Sequence, residues 1–173
     1  MATDHELQDT TPLLTVKDLK VRFALKAPSI LHKKPYLHAV DGVSFSIKRG
    51  ESLALVGESG SGKTTTALAV ARLVEAFEGE VRLGELDMLT LRAQALREAR
   101  QRFQFIFQDP YSSLNPRLRA GDIVAEPLAS MGRMAAAERQ EVVDGLFKAV
   151  GLRPEQQRLF PHQFSGGQRQ RIG

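Results

Sequence analysis

Apolar and polar positions alternate in two stretches near the start of the chain. Leu19, Val21 and Phe23 are separated by charged residues, and Val43, Phe45 and Ile47 repeat the pattern up to an Arg49-Gly50 turn signal. Period-two alternation predicts two half-buried strands, joined by a surface loop over residues 26–38 that carries Pro28, Pro35 and several basic residues. Residues 52–56, Ser-Leu-Ala-Leu-Val, predict a short strand buried on both faces of a parallel sheet. A glycine-rich turn follows, and residues 64–77 then read as a helix with Leu68, Ala71 and Val74 on one face. Val81 and Leu83 mark another strand, residues 91–102 a basic helix, and Phe103, Phe105 and Phe107 a further strand. Beyond Asp109-Pro110 the pattern is helical. Ile123, Val124 and Leu128 surround Pro127, and Val142, Leu146 and Val150 recur every four residues beside Val143 and Phe147. The Val142–Leu146–Val150 stripe is expected to be the core of that helical segment.

Composition narrows the classes. The 173 residues include no cysteine, which excludes disulfides, thiolate zinc sites and cysteine nucleophiles. No run approaches the length of an apolar membrane span. Residues 1–11 lack the basic-then-apolar layout of a signal peptide, so a disordered tail on a cytoplasmic protein is expected. A net charge of +4, from 24 Lys+Arg against 20 Asp+Glu, admits nucleic acid, anionic lipid or phosphorylated small molecules as partners.

The strongest chemical signal is Gly57-Glu58-Ser59-Gly60-Ser61-Gly62-Lys63-Thr64, which fits G-x-x-x-x-G-K-[ST] at every fixed position. Its glycines allow the backbone N–H groups to wrap a polyphosphate, and the helix that starts at Lys63 adds free N–H donors and a positive dipole end. The Lys63 ammonium suits the β- and γ-phosphates, and the Thr64 hydroxyl is a hard oxygen ligand for Mg²⁺. A dinucleotide fold would show G-x-G-x-x-G without the Lys-Thr pair. This is a nucleoside triphosphate site.

Two further segments narrow the family. Phe164-Ser165-Gly166-Gly167-Gln168 resembles the LSGGQ signature of ATP-binding cassette proteins, with Phe for Leu, and Phe107-Gln108-Asp109-Pro110 resembles their Q-loop. Residues 108–117 and 39–45 are similar to the oligopeptide, dipeptide, glutathione and nickel importer branch. The resemblance covers nearly all of residues 14–173. It implies an α/β fold: a P-loop NTPase core of the cassette type with an N-terminal antiparallel β-subdomain and an inserted α-helical subdomain. The implied boundaries are 1–13 for the tail, 14–108 for the β-subdomain and nucleotide core, 109–164 for the helical subdomain, and 165–173 for the signature and the start of its helix. ATP and Mg²⁺ are the implied cofactors. Residues 57–64 with Thr65 would hold the phosphates, Lys63 and Gln108 would act in catalysis, and Thr64 and Gln108 would meet the metal. Phe23 matches the family's adenine-stacking aromatic by position, although a core phenylalanine on an alternating strand reads the same way; Tyr36 is the substitute. Ser165, Gly166, Gly167 and Gln168 would cap ATP held by a partner subunit, the alternative for them being an ordinary helix cap. A solvated strand-end glutamine is the alternative for Gln108.

The implied partners are a second cassette ATPase subunit arranged head to tail, transmembrane permease subunits and, indirectly, a periplasmic or extracellular solute-binding protein, with no nucleic acid. The implied place is the cytoplasmic face of the membrane. No run of four apolar residues followed by Asp-Glu, the family's Walker B pattern, occurs in the chain. The expectation is therefore a core incomplete at its C-terminal end, an exposed apolar edge at residues 53–56 prone to aggregation, and little hydrolysis. The alternatives are a cassette ATPase of DNA repair or translation, favoured by Arg92, Arg97, Arg100 and Arg102, and a non-catalytic fragment.

Overall fold

A computed structural model describes residues 11–25, 35–107, 109, 113–130, 132 and 134–173. Both alternating stretches are long strands, β1 (Pro12–Ala24) and β2 (Tyr36–Lys48), paired antiparallel. The other edge of β1 takes β3 (Glu78–Leu83), which in turn pairs with the short β4 (Leu86–Asp87), giving the order β2-β1-β3-β4. The alternation does what it predicts. Val16, Leu19, Val21, Val40 and Val81 turn inward and are buried together with Ala69, Met88 and Ala99.

The ladder between β1 and β2 is not regular. Lys20 faces Asp41 and Leu19 faces Val43, so Gly42 is passed over; Val21 faces Val40 and Arg22 faces His38, so Ala39 is passed over. Each is a bulge that twists the strand and re-aims its neighbours. The second one matters for the site.

Helix α1 (Lys63–Val70) is shorter than its apolar pattern predicts. It ends in a Schellman arrangement: the Leu73 N–H donates to the Leu68 carbonyl at 2.8 Å and the Arg72 N–H to the Ala69 carbonyl at 3.0 Å. Arg72 takes the left-handed position usually given to glycine, with φ 56°. Its guanidinium donates to the Leu89 carbonyl and its own carbonyl accepts from Arg100 at 2.5 Å, so side chain and backbone are both tied down. Helix α2 (Ala93–Arg100) contributes Ala99 to the same core.

Two expected strands are absent among the described residues. Residues 52–56 and 103–107 adopt no regular structure. Leu53, Leu55 and Val56 are exposed, Val56 at 88%, as are Ile106 and Phe107. An apolar run becomes a doubly buried strand only when strands flank it and layers cover it. No described strand pairs with either run, and period and composition cannot supply that missing neighbour. Phe105 and Phe107 instead pack on each other, with ring centroids 4.9 Å apart.

The chain divides into two units, residues 1–104 and 105–173. The second is helical: α3 (Ala120–Ser130), α4 (Ala136–Ala149), two 3-10 turns (Pro154–Arg158 and Pro161–Gln163) and α5 (Gly166–Ile172). Its core is Ala120, Val143, Phe147, Leu152 and Phe164. The Val142–Leu146–Val150 stripe is not that core, since Leu146 is 45% and Val150 38% exposed. Two adjacent apolar stripes satisfy the same four-residue period, and α4 turns the one bearing Val143 and the Phe147 ring inward.

A polar triad closes beside this core. Gln157, almost fully buried, donates to the Asp144 carboxylate at 2.7 Å, while Gln140 donates to Asp144 and to the Gln157 side-chain oxygen, each at 2.8 Å. The bonds from Gln157 and then Gln140 hold the Asp144 carboxyl below its ordinary value.

The rotation of α4 predicts that Phe147→Ala costs about 3–5 kcal/mol in urea unfolding. Leu146→Ala should cost below about 1 kcal/mol, as surface changes do; equal losses would contradict the assignment. The Asp144 shift carries a sign. A lowered folded pKa adds stability above the unfolded value, roughly pH 4, and that stability is lost as pH falls through the folded value. Asp144→Asn should therefore be less stable than the parent at neutral pH, with the gap narrowing on acidification. A gap that widens would overturn the triad's role.

Candidate functional site

The phosphate-loop pattern folds as a tight turn into α1. The Ser61 N–H donates to the Glu58 carbonyl at 3.2 Å, and the helix starts at Lys63. Gly62, just before it, has φ 89°, and a Cβ there would run into the Ala39 carbonyl oxygen. A side chain is thus excluded twice, by conformation and by contact. The β2 bulge at Ala39 supplies the wall on which the loop rests. Buried Thr66 closes the first turn by donating its N–H at 2.8 Å and its hydroxyl at 3.0 Å to the Gly62 carbonyl.

No side chain caps α1, and its first turn holds no acidic residue, so its first N–H groups and the positive dipole end remain available to an anion. The Lys63 ammonium folds back over the loop. It donates to the Gly57 carbonyl at 2.9 Å, the Glu58 carbonyl at 2.6 Å and the Ser61 hydroxyl at 3.4 Å. These acceptors are neutral, so an anionic oxygen in the same place would be a stronger partner for the cation.

A cavity of about 700 Å³ opens in front of the loop. It brings Gly60, Ser61, Gly62, Lys63, Thr64 and Thr65 together with Phe23 on β1 and with residues 37–41 and Val43 of β2. That volume lies within the usual range of small-ligand sites. Gly57 and Glu58 act from behind through their carbonyls on Lys63, and Ser59 lies in the exposed turn. Tyr36 is not in the cavity wall; its ring faces the Arg22 guanidinium at 4.3 Å. Of the two aromatic candidates, the structure gives Phe23 to the cavity. Pattern reading missed the contributions of Ala39, Asp41 and Thr66. The one available signal was Gly42, which marks a distorted strand beside the loop.

Gln108 lies outside the described residues. The signature residues belong to the second unit, where Ser165 is the N-cap of α5. Its hydroxyl accepts from the Gln168 N–H at 3.3 Å, and the Gln168 side-chain carbonyl accepts from the Ser165 N–H at 3.0 Å. This reciprocal pair is a capping box. Gly167 is exposed and Gly166 half-buried. Of Arg92, Arg97, Arg100 and Arg102, Arg100 is turned onto the Arg72 carbonyl.

A polyphosphate fits the first unit's cavity, because glycine backbone, helix N-terminus and an ammonium converge on it. Mg²⁺ fits more loosely. Thr64 offers an exposed hard oxygen on the cavity wall, and no cluster of three His, Asp or Glu residues occurs among the described residues. A magnesium ion that keeps several waters and takes phosphate oxygens asks for little more from the protein. Among the described residues no helix is long and apolar enough to cross a membrane.

Comparison with known proteins agrees with this geometry. The chain is 43% identical over 161 residues to a protein of Sinorhizobium fredii named "Probable peptide ABC transporter ATP-binding protein y4tS", which covers 93% of this chain and 46% of that protein. It is 46% identical over 164 residues to the glutathione import ATP-binding protein GsiA of Escherichia coli K12, covering 95% of this chain and 26% of GsiA. The chain therefore spans less than half the length of these curated relatives. Among solved structures, the ATP-binding cassette MJ0796, a dimer in a post-hydrolysis state with ADP and Pi, superimposes with a TM-score of 0.75 at 29% identity. That match covers 92% of this chain and 66% of the cassette. The ABC transporter family profile matches residues 40–173. Matched over residues 40–173, the chain belongs to the ABC transporter family as part of an ATP-binding domain.

Proposed function

We propose that this chain forms the nucleotide-binding part of the ATPase subunit of an importer for peptides or similar small solutes such as glutathione. The observation that carries the reading is the cavity that gathers Phe23 and residues 60–65 at the start of an uncapped helix. The relatives' names, a peptide transporter and a glutathione importer, favour the solute class.

In this reading the adenine ring lies against Phe23 and the phosphates meet the N–H groups of residues 60–65. Lys63 exchanges its carbonyl partners for phosphate oxygens, which strengthens each contact and leaves the loop wrapped around the ligand. Mg²⁺ supplies charge neutralisation on the phosphates, and Thr64 is the residue placed to hold it. Gln108 is the proposed partner for the metal or the attacking water. Ser165, Gly166, Gly167 and Gln168 present a helix start to the ATP of a second subunit, packed head to tail, while permease subunits and a solute-binding protein complete the assembly at the cytoplasmic face of the membrane. We assign residues 14–108 to the β-subdomain and nucleotide core, 109–164 to the helical subdomain, and 165–173 to the signature. The chain contains no apolar run ending in Asp-Glu to orient water. Phosphoryl transfer depends on such positioning, so nucleotide binding without appreciable turnover is the activity assigned to these 173 residues.

Isothermal titration with MgATP tests the reading. Lys63→Ala should weaken binding at least about tenfold, the loss of one charged contact. Gly62→Ala should weaken it further, because the new methyl group meets the Ala39 carbonyl and unseats the loop. Steady-state phosphate release should stay near background while binding is saturated. Wild-type affinity that neither substitution changes would overturn the site, and release at the rate of a complete subunit would overturn the binding-only reading.

A further inference from the structure

Arg22 occupies a position that the nucleotide reading leaves unexplained. Arg22 is half-buried, and its guanidinium lies over two rings, 4.3 Å from the centroid of Tyr36 and 3.2 Å from that of Phe77. Both rings are themselves about half exposed. Among the described residues no carboxylate pairs with Arg22, so its interactions are the two stacked faces. A planar, weakly hydrated cation suits two aromatic faces at once, and a lysine would cover them poorly.

The stack joins parts of the chain that matter to the cavity. Tyr36 opens β2, two residues before His38, the partner of Arg22 in the ladder. Phe77 ends the segment that leads away from α1, and its N–H donates to the Lys20 carbonyl of β1 at 2.8 Å. Lys20 also pairs with Glu78 at 3.0 Å. The stack therefore clamps the last residues of β1 between the start of β2 and the exit of the phosphate-loop helix. Phe23 follows Arg22 directly and, by strand alternation, stands on the opposite face, where it lines the cavity with residues 60–65. The clamp on one face thus fixes the ring on the other.

We propose that Arg22 is a positioning residue for the base of the nucleotide: by filling the gap between Tyr36 and Phe77 it holds the end of β1 and sets where Phe23 stands relative to the phosphate loop. This rests on the nucleotide reading above and adds to it a residue that touches no part of the ligand. Arg22 therefore acts on affinity for the base and not on affinity for the phosphates.

The test compares MgATP with magnesium tripolyphosphate, which has the phosphates and no base, on the 173-residue chain. Arg22→Ala should weaken MgATP about tenfold, the scale of losing one good base stack, and leave tripolyphosphate within about twofold. Arg22→Lys should fall between. The chain has no tryptophan, so Phe23→Trp adds a single reporter. Its emission should be quenched by ATP and not by tripolyphosphate, and Arg22→Ala in that background should shift the ligand-free emission to the red. Should Arg22→Ala fail to fold, Tyr36→Leu, which removes one ring of the stack, carries the same comparison. Equal weakening of both ligands, or a loss of thermal stability with the ATP-to-tripolyphosphate ratio unchanged, would reduce Arg22 to a structural role and overturn the proposal. A wild-type chain that binds tripolyphosphate but gains nothing from the base would also overturn it while leaving the phosphate site intact. Binding of neither ligand would remove the nucleotide reading and the proposal together.

Discussion

Between the start of α1 and the carbonyl of Ala39 there is no room for a side chain, and the site is organised around that contact. Gly62 meets the bulged backbone of β2 directly. The meeting sets the direction in which α1 leaves the loop, and so the direction of its N–H groups and dipole. Thr66 then locks the first turn through two bonds to the Gly62 carbonyl. Lys63 draws the loop closed over the same point. The antiparallel hairpin is thus more than a neighbour of the phosphate loop. Its irregularity is the surface that gives the loop its shape.

Local chemistry was legible in the sequence to the extent that it was local. The fixed positions of residues 57–64 specified a turn, a helix start and a cation, and all three are present. Alternation at Leu19, Val21 and Phe23 and at Val43, Phe45 and Ile47 specified the hairpin. Features that depend on distant partners were not legible. Residues 52–56 have the composition of a doubly buried strand, but composition cannot provide the ladder partners that make one. The two stripes of α4 share one period, and only packing against Ala120 and Leu152 decides between them. The bulge at Ala39 and the Arg22 stack depend on residues tens of positions apart and leave no regular trace in either segment.

The helical unit repeats one device three times. Gln156, Gln163 and Gln168 each reach back three residues to accept the N–H of Arg153, Phe160 and Ser165. Proline follows the first two caps and glycine the third, so the first two turns are stiffened by the ring and the third is left with bare backbone. Residues 165–168 thus share the back-reaching glutamine of the two turns just before them and add to it the Ser165 hydroxyl, which accepts from the Gln168 N–H. A further distinction is the pair of small residues that follows, Gly166 and Gly167, where the other two turns have proline.

The unpaired stretch ahead of the phosphate loop changes how a ligand would act on this chain. Among the described residues no strand pairs with residues 51–58, and Gly57 and Glu58 are tied to the start of α1 through the carbonyls that accept from Lys63. A nucleotide gripped by the loop's amides would supply order that the sheet does not, and part of its binding free energy would go into fixing the incoming backbone. Occupancy and folding then become linked equilibria. Ligand concentration would set the melting temperature of the first unit and the rate at which its amide protons exchange with solvent.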